Sequence, residues 1–320
     1  MKVSINKGRS LMGLIAGLAF IATGALTLAA QQAPGTNGVA VQMVVTVEAH
    51  HGNDVPVLDA KDVMVHEGKD RDQLTDWVPA QGDHAGLELF ILLDDGSAQS
   101  MATQFSDIRK FMDGQPSSAL IGVAYMRNGV AQIEQNLTND HSLAAKALRI
   151  PIGTAGANGS PYFALTDLLK RWPPSNNRRE VLMVSDGIDR IYGTGDLQDP
   201  YLTATIEDAQ RAGVVVSAIY NPGAGHVGHS YWLNYWGQLY LAELAERSGG
   251  ESYYIGMTGA PVAFAPYLSD LANRLNHQYI LTFVPKPEKK AGLRRVKVTT
   301  EVHNAELVAA DQVFVPAAPQ

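Results

Sequence analysis

The chain of 320 residues contains no cysteine. This absence excludes disulfide bonds, a thiol nucleophile, a cysteine-ligated zinc ion and a lipid-modified cysteine. The fold must therefore be held by its apolar core alone. With 46% hydrophobic residues, the chain is long enough to bury a sizeable core in one large domain or two smaller ones.

Sequence motifs of common enzymes are also lacking. There is no G-x-S-x-G nucleophile elbow, H-E-x-x-H zinc motif or phosphate-binding loop. Gly223, Gly225 and Gly228 match G-x-G-x-x-G, but they follow a late strand instead of the first one, which argues against a dinucleotide site. His226 and His229 lack an evident third metal ligand, so we interpret them as polar loop residues. We expect no catalytic residues.

Basic residues are few, with 25 Lys and Arg against 32 Asp and Glu. Residues 1–30 hold three of the cations, no acid, and an apolar run that ends in small residues, the pattern of a secretory signal peptide. An uncleaved membrane anchor is the alternative. After cleavage the net charge would be −10, which disfavours nucleic acid as a partner. We expect a periplasmic or secreted protein without a stable membrane span, beginning with a flexible linker at 31–38.

The hydrophobic pattern predicts an α/β fold. From about Leu87 onward, apolar strands alternate with helices of ten or more residues, which is typical of a doubly wound, mostly parallel sheet with helices on both faces. Alternating strand patterns at both ends predict a small β-sandwich-like region. The expected division is an N-terminal β segment at 39–83, an α/β domain at 84–277, and a C-terminal β segment at 278–320 that pairs with the first.

The stretch "LFILLDDGSAQSM", residues 89–101, carries two carboxylates and two hydroxyls into one tight loop. Oxygen ligands on small residues suit a hard cation such as Mg²⁺ or Ca²⁺. The alternative is that these residues only cap the next helix and shape the turn. Further along the chain, Asp189, Asp196 and Asp199 are expected to lie in a solvated loop.

In this order and at these intervals, "LFILLDDGSAQSM", "NGSPYFALTDLL", "VLMVSDGID", "AGVVVSAIY" and "LAELAERSGGESYYI" resemble the von Willebrand factor type A (VWFA) domain family, in particular its VWFA-related bacterial exported proteins. The resemblance covers roughly residues 41–316. It implies a metal-ion-dependent adhesion site (MIDAS), in which a partner carboxylate completes the metal shell. The implied ligands are Asp94, Asp95, Ser97, Ser100, Ser160 and Asp186.

The match to that adhesion site is incomplete. Counted from Asp94, the two motif hydroxyls are replaced by Gly96 and Ala98; counted from Asp95, Ser97 is present and Gln99 replaces the second serine. Ser160 stands where the family has threonine. Mg²⁺ or Ca²⁺ is thus an open expectation, with Ca²⁺ more tolerant of an irregular shell.

Four aromatic residues form the second unusual feature: Tyr231, Trp232, Tyr235 and Trp236. They could be the buried face of the following helix or an exposed surface that binds a partner, because Tyr and Trp are enriched in interface hot spots. We predict a non-catalytic protein-binding or adhesion module of the bacterial envelope with an unidentified protein ligand. The alternatives are a structural or assembly protein with an inert loop, and a metal-dependent hydrolase that uses the same carboxylates.

Overall fold

The structure is a computed structural model that describes residues 38–156, 158–192, 199–224, 230–256 and 262–318. Its strands, numbered along the chain, are β1 Val41–Ala49, β2 Val63–Glu67, β3 Asp70–Arg71, β4 Gln73–Pro79, β5 Leu87–Asp94, β6 Ala119–Arg127, β7 Val130–Thr138, β8 Arg178–Ser185, β9 Val214–Tyr220, β10 Ser252–Tyr254, β11 Gln278–Val284, β12 Gly292–Arg295, β13 Lys297–Thr300, β14 Ala305–Ala309 and β15 Gln312–Val315. Its helices are α1 Phe105–Asp113, α2 His141–Lys146, α3 Pro161–Arg171, α4 Pro200–Ala212, α5 Tyr231–Ser248 and α6 Ala265–Asn276.

The central sheet has six strands in the order β10-β9-β8-β5-β6-β7. All neighbouring strands run parallel except β6 and β7, which form an antiparallel hairpin. The dipeptide Asn128-Gly129, which is typical of a two-residue hairpin turn, closes this hairpin with φ of 53° and 79°. The predicted doubly wound α/β fold is confirmed.

Apolar clusters cover both faces of this sheet, which explains why β5 is buried at every residue. Leu89, Ile91 and Leu93 point to the face covered by α1, α2 and α6, while Phe90 and Leu92 point to the face covered by α3, α4 and α5. Successive side chains of a strand alternate between faces, so one strand supplies both cores. Because β5, β8 and β9 run parallel, their carboxyl ends meet at one edge of the sheet.

Strands from the N-terminal and C-terminal parts of the described chain pair with each other. Strand β1 lies between β14 and β11, both antiparallel, and β4 completes the sheet on the far side of β11. Two smaller sheets, β13-β2-β3 and β12-β15, lie beside it. The core of this region includes Val45, Trp77 and Phe283, and Trp77 stacks on Tyr279 with ring centroids 4.4 Å apart.

Helix α5 differs from the expectation. The apolar pattern that ends in two glycines predicts a helix over residues 239–250. The structure begins α5 at Tyr231 instead, where the hydroxyl of Ser230 accepts the backbone N–H of Leu233. The four predicted partner-binding aromatics thus lie within a helix. None of the described helices is both long and apolar enough to cross a membrane. The predicted signal peptide, most of the linker, His226, His229 and Asp196 lie outside the described residues.

Candidate functional site

The predicted cation ligands lie at the carboxyl ends of β5 and β8 and at the start of α3. Asp94 ends β5, Asp186 follows β8, and Ser160 caps the N-terminus of α3. Each of these side chains is almost completely buried. Ligands bind at this edge of open α/β sheets, so the sequence placed the candidate site on the expected side of the sheet.

Asp94 is held by two hydrogen bonds, one within its own loop and one to the end of β8. Its Oδ1 accepts the backbone N–H of Gly96 at 2.8 Å, and its Oδ2 accepts the hydroxyl of Ser185 at 3.0 Å. Burial, and after it the negative charge of Asp186, raise the pKa of Asp94 to about 7, against the opposing effects of Arg190 and the two hydrogen bonds. Asp94 therefore lies in a buried, negatively charged environment that Arg190 compensates only in part.

Asp186 is engaged by an arginine that the sequence analysis missed. Nη2 of Arg190 bonds Oδ2 of Asp186, and Nη1 lies 3.5 Å from Oδ1. The same Nη1 donates to the carbonyl of Ile188 at 3.2 Å. Arg190 also lines the cleft that contains Asp94 and Ser160. A guanidinium group thus lies where the predicted cation ligands converge.

Asp95 is engaged by a second arginine. Nη1 and Nη2 of Arg149 donate to Oδ1 and Oδ2 of Asp95 at 2.7 and 3.0 Å, a bidentate pair, and the backbone N–H of Ile152 donates at 3.1 Å. The guanidinium carbon of Arg149 lies 4.0 Å from the ring centroid of Tyr125. Asp95 is fully buried, so its carboxylate orders the loop around residue 152.

The predicted hydroxyl ligands are also used within the fold. The Oγ of Ser97 accepts from the Nδ2 of Asn221 at 3.1 Å. The Oγ of Ser160 donates to the Oδ2 of Asp189 at 2.8 Å and accepts the backbone N–H of Tyr162 at 3.3 Å. Ser100 lies exposed in a short 3₁₀ helix and lines a different, small cavity. The structure therefore does not bring Ser100 to Asp186 and Ser160.

The expectation of a solvated acidic loop is wrong for two residues. Asp189 is buried and also accepts the backbone N–H groups of Ile191 and Tyr192 at 2.7 and 3.0 Å. Asp199 is buried and caps α4 by accepting from Tyr201 and Leu202. Buried acids require hydrogen-bond donors, and here Asp189 finds them in a turn and Asp199 at the start of a helix.

The donor set does not fit a resident Mg²⁺ or Ca²⁺ ion. Asp95 and Asp186 are already bonded to guanidinium groups, and Ser97 and Ser160 are bonded to Asn221 and Asp189. Over the described ranges, no group of three or more His, Asp or Glu side chains is arranged to hold a metal. Six oxygen ligands around a small cation would require several of these contacts to break.

The four aromatics divide into two kinds. Tyr231, Trp232 and Tyr235, here called the aromatic face, are 60%, 67% and 46% exposed. The ring centroids of Tyr231 and Trp232 lie 5.7 Å apart, and those of Trp232 and Tyr235 lie 6.5 Å apart, both edge to face. Trp236 is only partly exposed and packs against the core beside Tyr240. Only the first three form an exposed surface.

A close helix contact connects the aromatic face to the candidate site. A Cβ atom added to Gly237 of α5 would lie 2.0 Å from the carbonyl oxygen of Asp186. Gly187, which follows Asp186 in the chain, has a φ of 68°, and a Cβ atom added to it would lie 2.3 Å from the carbonyl oxygen of Gly237. Only glycine fits at both positions. This contact packs the first turns of α5 against the Asp186 turn.

Two openings of very different size lie near these residues. The cleft lined by Asp94, Ser160 and Arg190 has a volume of about 10 Å³. A groove of about 630 Å³ runs between α5 and β10 and is lined in part by Tyr235, Gln238 and Tyr254. A water molecule needs roughly 10–15 Å³ of such space, so the cleft holds at most one water.

Comparison with solved structures finds similar folds at low identity. An aerotolerance-related membrane protein from Bacteroides fragilis is 14% identical, with 60% of this chain and 99% of that chain covered and a TM-score of 0.45. The conserved hypothetical protein BatB from Bacteroides thetaiotaomicron is 16% identical, with 59% and 97% covered and a TM-score of 0.42. Proximal thread matrix protein 1 from the mussel byssus, whose MIDAS motif is occupied by zinc, is 13% identical, with 61% and 46% covered and a TM-score of 0.40.

No family model matches the chain, and no curated protein matches it. The order of strands in the central sheet and the helices on both faces define a VWFA-like fold. The fold class is therefore established by the architecture itself, while fold alone does not determine function.

Proposed function

We propose that this chain is a non-catalytic protein-binding module exported to the bacterial envelope or beyond, and that it contacts its partner through the aromatic face. The single observation that carries this proposal is the exposure of Tyr231, Trp232 and Tyr235 side by side at the start of α5. Large aromatic side chains left in water cost free energy that binding recovers, and they are enriched in interface hot spots.

The position of the aromatic face supports the same proposal. It lies at the start of the helix that packs against the Asp186 turn, at the edge of the sheet where VWFA-like folds present their loops. The helix holds the backbone of these three residues in one conformation before binding, which reduces the entropy lost on association. Export is supported by the basic and then apolar order of residues 1–30.

A hydrolytic role has less support. The cleft beside Asp94 and Ser160 is too small for more than one water molecule, and its carboxylates already accept hydrogen bonds from the fold. A hydrolase needs room for its substrate and a base within reach of the attacking water. These features favour binding over catalysis.

Site-specific photo-crosslinking tests the proposal. In one variant a photoreactive amino acid replaces Trp232. In the control variant it replaces Val57, which is 85% exposed and lies outside α5. Both variants are expressed and irradiated in cells that naturally make the chain. We expect position 232 to give a discrete crosslinked product of higher mass, and position 57 not to give it. An excess of wild-type chain should suppress this product by competing for the partner. A product made only of copies of this chain would instead support the assembly role. The same products from both positions, or none from position 232, would contradict the proposal.

A further inference from the structure

We propose that Arg190 is the built-in cation of this site, so that its guanidinium group takes the place that a divalent metal ion has in a MIDAS. The assignment rests on the contacts of Arg190 with Asp186 and on its position in the cleft shared with Asp94 and Ser160. It stands without the proposed function. Its consequence for partner binding, that no divalent ion is needed, depends on that function.

Charge compensation is the first argument. Asp94 and Asp186 are buried, with at most 5% exposure, at the ends of adjacent strands. Two carboxylates removed from water at close range require a cation or a bound proton. Arg190, whose side chain is 14% exposed, pairs with Asp186 and lines the same cleft as Asp94. A guanidinium group stays protonated and can bond a carboxylate through two nitrogens.

The backbone geometry holds Arg190 in this position. The chain turns at Gly187, with a φ of 68°, and the N–H of Ile188 donates to the Oδ1 of Asp186 at 3.0 Å. Nη1 of Arg190 then donates to the carbonyl of Ile188 at 3.2 Å. The arginine is therefore bonded to both the side chain and the backbone of one turn, and these bonds offset the conformational entropy lost when the side chain is ordered.

The state of the hydroxyl ligand is the second, independent argument. Ser160 uses its proton on Asp189 and accepts from Tyr162, and both of its partners are fixed in the fold. When the adhesion-site motif is counted from Asp94, its two serine positions are occupied by Gly96 and Ala98, which carry no oxygen in their side chains. Loss of hydroxyl ligands and gain of a guanidinium are the combined changes expected of a site that no longer uses a metal.

The experiment removes the arginine and asks whether a metal can replace it. The Arg190→Ala variant of the mature chain is compared with wild type by circular dichroism melting in EDTA and in 10 mM Mn²⁺, and Mn²⁺ binding is followed by the electron paramagnetic resonance signal of the free ion. We expect Arg190→Ala to melt below wild type in EDTA, and Mn²⁺ to raise its Tm by about 2–4 °C. Wild type should shift by less than about 1 °C.

The double variant Arg190→Ala with Asp186→Asn is the matched control. It lacks the second carboxylate, so its Tm and its free Mn²⁺ signal should not respond to the ion. If Arg190→Ala does not fold, Arg190→Lys takes its place, because lysine keeps a charge but loses the bidentate fork; it should melt below wild type and gain a smaller Mn²⁺ response.

Two results would overturn the proposal. One is a wild-type chain that binds Mn²⁺ as tightly as Arg190→Ala does, which would mean that the arginine does not occupy the cation position. The other is the absence of any Mn²⁺ response in both Arg190 variants. Neither readout involves a partner protein, so a failure here is distinguishable from a failure of the proposed function.

Discussion

At the residue scale, the burial of carboxylates beside guanidinium groups organises the candidate site. Asp95 is fully buried, whereas one third of the side chain of Arg149 is exposed. Arg149 also bonds Glu134 at 2.9 Å. Removing one partner of an ion pair leaves the other in its environment, and the cost depends on how buried the remaining charge is. The two halves of this pair should therefore respond differently to substitution.

We predict that Arg149→Ala lowers the free energy of unfolding by about 3–5 kcal/mol, because it leaves the buried carboxylate of Asp95 without its cation. Asp95→Asn should cost less, about 1–2 kcal/mol, since Arg149 can still reach water and Glu134. Urea unfolding followed by circular dichroism measures both. Lys61→Ala, which removes a largely exposed pair with Asp59, is the control and should cost under about 1 kcal/mol. Equal losses for the two variants of the pair would contradict this interpretation.

At the scale of elements, α5 combines a core helix with an exposed aromatic face. Leu241 and Leu244 are completely buried, whereas Tyr231 and Trp232 lie mostly in water. Trp236 lies between these extremes, with its ring centroid 5.8 Å from that of Tyr240. The predicted partner-binding set therefore separates into surface residues and one residue that supports the core.

We predict that Trp232→Ala changes the free energy of unfolding by less than about 0.5 kcal/mol. Trp236→Ala should lower it by about 1–3 kcal/mol because packing against the core is lost. Thermal and urea unfolding by circular dichroism compare the variants at one pH. A loss for Trp232→Ala as large as that for Trp236→Ala would show that Trp232 packs in the protein and does not form a free surface.

A buried polar connection between β8 and β11 gives a second prediction at this scale. Glu180 is 2% exposed, and its Oε1 accepts the Nε2 of Gln278 at 2.7 Å, while the Oε1 of Gln278 accepts from Arg178. Burial raises the pKa of Glu180 from 4.5 to about 7, against the opposing effects of Gln278, Arg178 and Arg274. Between pH 4.5 and about 7 the folded state therefore keeps a proton on Glu180 that the unfolded state releases.

The sign of the pH dependence follows from this difference. Below pH 4.5 Glu180 is protonated in both the folded and the unfolded state, so the free energy of unfolding does not depend on pH through this group. Between pH 4.5 and about 7 only the unfolded state releases the proton, so the free energy of unfolding falls as the pH rises. Above about pH 7 both states are ionised and the loss is complete. Glu180→Gln should remove this loss and raise the free energy of unfolding at pH 8 by on the order of 3 kcal/mol relative to wild type, with little change at pH 4. Glu207→Gln, on a half-exposed side chain of α4, is the control and should leave the pH profile unchanged. A Glu180→Gln profile parallel to that of wild type would contradict this prediction.

At the scale of the whole molecule, periodicity and turn residues were sufficient to predict the fold. Continuous apolar strands, helical stripes and the Asn128-Gly129 turn are local signals, and each was confirmed. The start of α5 was missed because its first two turns are rich in aromatics on several sides and show no single apolar stripe. The location of the site was also predictable, since the ends of parallel strands meet at one edge of the sheet.

The chemistry of the site was not predictable from the sequence. Arg149 lies 54 residues from Asp95, and only the three-dimensional fold brings them together. Arg190 is four residues from Asp186, but this spacing signals an ion pair only in a helix, and the segment is a turn. The sequence therefore supplied the carboxylates but not the cations that accompany them, and for this reason it left the choice between metal and capping open.

Crystals of the wild-type mature chain grown with 10 mM Mn²⁺ would test the central claim most directly, through an anomalous difference map calculated at the manganese edge. The account predicts guanidinium density for Arg190 on Asp186 and no anomalous peak between Asp94, Ser160 and Asp186. An anomalous peak at that position, with the side chain of Arg190 turned away from Asp186, would contradict it.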